Sequence, residues 1–226
     1  MEHPILYIQI PGLEAYPHVT YTWVLMIVLA AVSFATTRAL TLIPSTLQNF
    51  FELVLEGISD FMSDVIGPEG PQYIFLIGTL AIFILTSNLI GMIPGFTSPT
   101  SNLNTNLAMA ITVFCIYHYV GIKKHGFVAY LKHFMGPIIW LAPLIMPIEL
   151  IGHFARIMSL SIRLFGNIMG HDIVVIVLGI LGGLSIFIFW APLPMLFLGI
   201  FISFIQAFVF VLLSVIYIAL ALEEEH

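Results

Sequence analysis

The segment that decides the fold reads IIWLAPLIMPIELIGHFARIMSLSIRLFGNIMGHDIVVIVL, residues 138–178. As a single α-helix it would be about 60 Å long, since each residue adds about 1.5 Å. The hydrocarbon core of a bilayer is only about 30 Å thick. We therefore expect this segment to be strongly tilted, broken, or both, and Pro143 and Pro147 permit a bend near its start.

The composition of the whole chain is that of an integral membrane protein. Of its 226 residues, 60% are hydrophobic and 8% are charged, whereas a soluble domain has about 25% charged residues. Helices satisfy their own backbone hydrogen bonds in lipid, so the long apolar segments predict spanning helices. The single cysteine, Cys115, excludes an internal disulfide, and its apolar surroundings indicate a small buried hydrophobe.

The pattern predicts an all-α, polytopic membrane protein whose residues 1–226 form one transmembrane domain. Five spans are predicted, the last two of them long and strongly tilted: residues 20–40, 72–94, 105–121, 138–178 and 192–222. Six shorter spans are the alternative, and they would return the carboxyl end to the outer side. Five crossings with the amino terminus outside place four of the six cations on the cytoplasmic side, together with the carboxyl terminus. These cations are Arg38, Lys123, Lys124 and Lys132.

Residues 44–67 differ from the spans because acids recur at every fourth position. The acids are Glu52, Glu56, Asp60 and Asp64, and apolar residues occupy much of the remaining surface. This spacing predicts an amphipathic helix that lies along the membrane surface or against another subunit.

The polar residues of segment 138–178 fall on one side of the predicted helix. They follow steps of four, three, seven, four and four: Glu149, His153, Arg156, Arg163, Asn167 and His171. At about 100° per residue they stay within about 40° of one direction and form a stripe. A salt-bridged seam between helices is the alternative for the first three, with Glu149 pairing His153 or Arg156.

Arg163 is the residue of this stripe that most strongly indicates a function. An arginine at membrane depth costs about 2.5–3.5 kcal/mol even on lenient insertion scales. Its nearest acid on the same helix, Asp172, is nine positions away and so about 180° around the helix. The partner carboxylate must therefore come from another helix or another subunit. A guanidinium does not release its proton, but it can neutralise a carboxylate that has just lost one.

Other polar groups could line aqueous approaches to this arginine. Glu149, His153, His171 and Asp172 can gain and lose protons, and the last helix places Ser203, Gln206, Ser214 and Tyr217 near one face. Gln206 is the least expected of these in lipid, although a buried glutamine also serves to hold helices together. No pattern of a metalloprotease, a nucleophile elbow or a phosphate-binding loop is present, so an enzyme is disfavoured.

Three stretches resemble motifs of subunit a of the F-type ATP synthase membrane sector. They are SLSIRLFGN at residues 159–167, SNLIGMIPG at residues 87–95 and IQAFVF at residues 205–210. The likeness extends over essentially the whole chain and is of the bacterial type. It implies a non-catalytic stator subunit without cofactor or metal, in the bacterial inner membrane. Its implied partners are a ring of c subunits, b-type peripheral stalk subunits, membrane lipid and the rest of the complex, but no nucleic acid.

The resemblance also implies roles for individual residues. Arg163 matches the essential arginine that faces the carboxylate of the rotating ring, and proton flow past it would be coupled to ATP synthesis. Asn167, Gln206 and Glu149 match polar positions of two aqueous half-channels, and Asp172 matches an acidic or histidine position on the outer side. Some relatives carry a histidine on the last helix where this chain has Gly199, and His171 stands beside Asp172 instead. A stand-alone channel or secondary transporter is the alternative, although no internal repeat is found.

Overall fold

The computed structural model describes residues 17–38, 46–93, 95–133, 139–182 and 192–223. This part of the chain forms seven α-helices: α1 Pro17–Arg38, α2 Thr46–Ile66, α3 Ile74–Ile90, α4 Leu103–His125, α5 Phe127–His133, α6 Ala142–Gly182 and α7 Pro192–Leu222. Short 3₁₀ turns occur at Gly70–Tyr73, Pro99–Ser101 and Ile139–Leu141. No strand is found within the described ranges, so the predicted all-α class is confirmed. The two chain ends, which the prediction places outside and in the cytoplasm, lie outside these ranges.

Five of these helices are long and apolar enough to cross a membrane. They are α1, α3 together with the 3₁₀ turn that precedes it, α4, α6 and α7. The described residues thus favour five crossings over six. Helix α6 is continuous over its 41 residues although it contains Pro147. Pro147 lies in the second turn, where its missing N–H removes one bond near the helix end.

Helix α7 packs against α3, α4 and α6, and α4 packs against α6, so that these four helices form the core, while α1 packs on α3. The largest fully buried apolar side chains of this core are Phe210, Met62, Ile77, Ile84, Leu164 and Ile218. Asn102 caps the start of α4, because its side chain accepts a hydrogen bond from the Asn104 N–H at 2.9 Å. The helix ends at Gly126, which adopts a φ of 83° that favours glycine.

Helix α2 has the amphipathic character that the acid spacing predicts. All four acids, Glu52, Glu56, Asp60 and Asp64, are exposed. On the opposite side Met62 is fully buried, and the helix packs against α3 and α7. The helix therefore covers one end of the core instead of crossing the membrane.

The junction between α2 and α3 requires a glycine at position 70. A Cβ at Gly70 would collide with the Met62 carbonyl oxygen, a backbone atom that cannot turn away. We expect Gly70→Ala to destabilise the fold by about 1–3 kcal/mol through overpacking. Gly57→Ala in α2 is the matched control, because nothing lies within 4 Å of its added Cβ. Thermal unfolding in detergent should show a lower midpoint for Gly70→Ala alone, and equal midpoints would contradict this prediction.

One side-chain prediction is wrong. Cys115 is exposed on the outward side of α4, whereas its apolar surroundings indicated burial. In a spanning helix the lipid-facing side is as apolar as the core-facing side, so hydrophobic neighbours do not indicate which side is buried.

Candidate functional site

Arg163 lies on an outward face of α6, roughly at the middle of the helix. Its side chain is exposed, as are those of Ser159 and Ile162 on the same helix. The guanidinium Nη2 donates a hydrogen bond to the Ser159 hydroxyl at 3.4 Å. Among the described residues, no carboxylate lies within ion-pair distance of Arg163. A permanent charge is therefore presented to the outside of the subunit.

One helical turn from Arg163, an amide pair joins α6 to α7. The Asn167 side-chain amide donates a hydrogen bond to the Gln206 side-chain oxygen at 2.6 Å. Gln206 is 3% exposed, and its neighbours on the inward face of α7, Ser203 and Ser214, are fully buried. Asn167 is exposed, so the pair connects the outward face near Arg163 to the buried polar interior.

Two turns from Arg163, His171 and Asp172 lie next to each other between α6 and α7. His171 is buried, and its Nε2 meets the Met195 carbonyl oxygen of α7 at 3.1 Å. Its Nδ1 lies 3.6 Å from the Asp172 carboxylate, which is half-exposed. A Cβ at Gly199 would collide with the His171 imidazole and with the Met92 sulfur. Because Gly199 on α7 has no side chain, the His171 imidazole from α6 fits against this helix.

The opposite end of the stripe contacts α4 and α7. His153 is buried, and its Nε2 lies 3.3 Å from the Glu149 carboxylate, one of the two pairings that the spacing allowed. Its Nδ1 lies 2.7 Å from the hydroxyl of Tyr117 on α4. The Arg156 guanidinium lies 5.3 Å from the ring centroid of Tyr217 on α7, within the range of a cation–π contact.

A buried polar cluster between α3 and α4 was not predicted from the sequence. The Thr100 hydroxyl donates to the Asn88 side-chain oxygen at 2.7 Å and lies 2.6 Å from the Ser98 hydroxyl. Asn106 donates from its side chain to the Thr100 carbonyl at 2.8 Å. The only available signal was the uncharged, Ser/Thr/Asn-rich loop at residues 96–104, which resembles an ordinary solvated loop.

This cluster retains unused hydrogen-bonding capacity and lies close to α6. Within the described residues, Ser87 Oγ, Asn88 Nδ2 and Asn106 Oδ1 are buried and have no hydrogen-bond partner, and the same holds for His171 Nδ1. The 3₁₀ turn Pro99–Ser101 packs on α6. A buried polar atom without a partner calls for an explanation, such as a bound water or a further interaction.

The structure thus separates the predicted site residues into three groups along α6. Arg163 and Asn167 are central and are joined to α7 through Gln206. Glu149 is 14 positions before Arg163, which is about 21 Å along a helix, and His171 and Asp172 are about 12–14 Å beyond it. A central fixed charge with titratable groups on both sides can support proton movement between two separate approaches.

The chain is also similar in sequence to known proteins. The chain matches the ATP synthase A chain family over residues 19–219. The ATP synthase subunit a of Desulfosudis oleivorans is 50% identical over 234 residues, which cover 100% of both chains. Those of Syntrophobacter fumaroxidans and Geobacter sulfurreducens are 50% and 49% identical, again over 100% of both chains. The resemblance found in the three motifs is therefore confirmed, and this multi-pass membrane protein belongs to the ATP synthase A chain family.

Proposed function

We propose that this chain is the stator subunit against which a ring of c subunits turns, and that Arg163 is the group facing the ring carboxylates. The carrying observation is that Arg163 is exposed on α6 and has no acid within ion-pair distance among the described residues. A permanent positive charge stabilises a carboxylate that has released its proton into one approach. It also prevents the carboxylate from moving back past Arg163 until it has taken up a proton from the other approach.

The outer approach leads through the polar cluster of α3 and α4 toward His171 and Asp172. Its support is the set of buried polar atoms that have no hydrogen-bond partner among the described residues, namely Ser87 Oγ, Asn88 Nδ2 and Asn106 Oδ1. Met92 lies beside His171 at the end of α3, so the cluster and the histidine border the same region. Asn167 and Gln206 then connect this region to the face of Arg163.

The second approach leads past Glu149 to the cytoplasm. In this orientation the amino terminus is outside and the carboxyl terminus is cytoplasmic. The basic last turn of α4, which contains Lys123, Lys124 and His125, supports it because basic residues favour the cytoplasmic side. We assign the exposed acidic side of α2 to contacts with b-type stalk subunits. The remaining apolar faces are assigned to contacts with lipid. Through these partners, proton flow would be coupled to ATP synthesis in the bacterial inner membrane.

The placement of Arg163 also argues against the stand-alone channel or transporter. In a self-contained transporter, ionisable groups face the interior of the helix bundle or a water-filled cavity. Here the central charge faces outward, while the neutral Gln206, which accepts a hydrogen bond from Asn167, is the buried polar group between α6 and α7. A second subunit is needed to bury the charge.

Cross-linking from single cysteines in the assembled complex tests this proposal. In a Cys115→Ser background, Ile162→Cys places a thiol beside Arg163, where the native side chain is 50% exposed. We expect it to cross-link to a cysteine placed next to the ring carboxylate. The control is Phe75→Cys on α3, because Phe75 is 86% exposed but lies on a different helix. Cross-linking from Phe75→Cys that equals or exceeds that from Ile162→Cys would overturn the proposed face.

A further inference from the structure

A buried hydrogen-bonded chain on the Glu149 side has no role in what has been described so far. Tyr117 on α4 is 2% exposed and His153 on α6 is 6% exposed. The Tyr117 hydroxyl lies 2.7 Å from His153 Nδ1, and the two rings stack with centroids 5.8 Å apart. The other ring nitrogen, Nε2, lies 3.3 Å from the Glu149 Oε1. Both nitrogens of this histidine thus meet an oxygen atom.

The direction of these contacts follows from the carboxylate at one end. An ionised carboxylate has acceptors only, so Glu149 Oε1 accepts and His153 Nε2 carries the proton and donates it. In neutral imidazole one nitrogen accepts while the other donates. His153 Nδ1 therefore accepts, and the Tyr117 hydroxyl donates to it.

We propose that Tyr117 and His153 form a directed donor chain that holds the Glu149 carboxylate in position for proton transfer. This inference rests on the proposed function, in which Glu149 lies in the cytoplasmic half-channel. A hydrogen bond donated to a carboxylate stabilises its charged form. Loss of the chain should therefore change the pH dependence of proton flux on this side. Tyr117 and His153 act through Glu149 and are positioning residues.

The other groups around His153 do not provide the same contact. His118 on α4 meets the His153 ring edge-on, with centroids 5.0 Å apart, and its Nδ1 lies 3.1 Å from the carbonyl oxygen of Phe114. Tyr130 on α5 stands 5.9 Å from the His118 ring, and burial raises the pKa of its hydroxyl, which stays neutral near pH 7. Tyr217 on α7 presents its ring to Arg156. Among these groups, Tyr117 is therefore the one that donates to His153, and through His153 to Glu149.

The experiment measures proton flux through the whole complex in sealed vesicles while the pH on the side of Glu149 is varied. We expect Tyr117→Phe to raise the midpoint of the pH profile by about 1 unit, since His153 Nδ1 loses its donor and the imidazole is no longer held with its Nε2 proton toward Glu149. Tyr119→Phe is the matched control, because Tyr119 lies on the same helix but is 64% exposed. Its profile should superpose on that of the parent. With Glu149→Gln already present, Tyr117→Phe should produce no further shift.

Two substitutions at His153 separate positioning from packing. A glutamine can accept from Tyr117 and donate to Glu149, so His153→Gln should keep the midpoint near that of the parent. His153→Leu is also uncharged but offers neither group, and it should shift the midpoint upward as Tyr117→Phe does. Equal midpoints for His153→Gln and His153→Leu would overturn the inference, as would an unshifted Tyr117→Phe profile.

The same vesicles separate failure of this inference from failure of the proposed function. If Arg163→Ala abolishes ATP-driven pumping while Tyr117→Phe and His153→Leu leave the midpoint unchanged, only the donor chain is refuted. If Arg163→Ala continues to pump, the stator assignment itself is refuted. Variants that reduce the amount of assembled complex without moving the midpoint of the remainder indicate a packing role, which also refutes the inference.

Discussion

Replacement of Arg163 by alanine is expected to abolish coupled proton transport while the complex remains assembled. The side chain is exposed and makes its hydrogen bond to Ser159 at 3.4 Å, so its removal leaves the core of this subunit intact. In the proposed function, the ring carboxylate would lose the permanent counter-charge that Arg163 supplies. Removal of one partner of a desolvated ion pair costs about 3–5 kcal/mol. Because 1.36 kcal/mol corresponds to a factor of ten, we expect a loss of about 100-fold or more.

ATP-driven acidification of inverted vesicles measures this loss, and native electrophoresis measures assembly. The matched control is Arg38→Ala, since Arg38 is also an exposed arginine but lies at the end of α1, with its guanidinium 4.3 Å from the centroid of the Phe34 ring. This variant should pump at the parental rate. Pumping by an assembled Arg163→Ala complex would refute the assignment of Arg163.

The second large effect is expected at Gly199. A Cβ there would collide with the His171 imidazole, and a valine would add two further methyl groups at the same contact. Overpacking of this kind typically costs about 1–3 kcal/mol. The strain would act between α6 and α7, where the Asn167–Gln206 hydrogen bond of 2.6 Å must also be kept. We expect Gly199→Val to slow proton transport about tenfold or more, with Gly199→Ala intermediate.

Proton flux through the assembled complex checks this prediction, with Gly179→Val on α6 as control because nothing lies within 4 Å of a Cβ at Gly179. A second substitution separates packing from proton transfer. In the Gly199→Val background, His171→Ala should restore thermal stability, since it empties the contested space, but it should not restore flux. Recovery of both would show that His171 fills space and does not carry protons. Parental flux in Gly199→Val would contradict the predicted contact.

The spanning helices could be predicted because their signal is local. Long apolar segments can satisfy their backbone groups in lipid only as helices, whatever else they contact. The continuity of α6 could not be predicted, because two prolines near its start permitted a break. In the structure Pro147 falls in the second turn, where one missing hydrogen bond is tolerated. Helix α5 at Phe127–His133 was also missed, since seven residues carry too little periodicity to detect.

The candidate site was predictable where it depended on one helix. The stripe from Glu149 to His171 follows from the angle between helical residues, and Arg163 stood out by its cost in lipid. Which members are buried was not predictable, because His153 and His171 are covered by α4 and α7 while Arg163 is not. The contact between Tyr117 and His153 joins residues 36 positions apart, and no local pattern encodes it.

The exposed position of Arg163 has a consequence for the life of the newly made chain. Before its partner arrives, this guanidinium faces lipid on a helix whose outward side chains include Ile162 and Ile173. An isolated arginine at that depth costs about 2.5–3.5 kcal/mol. Quality-control proteases act on such marginally stable species. The half-life of the chain in the cell should therefore depend on the supply of its partner, and surplus copies should be degraded before they can leak protons.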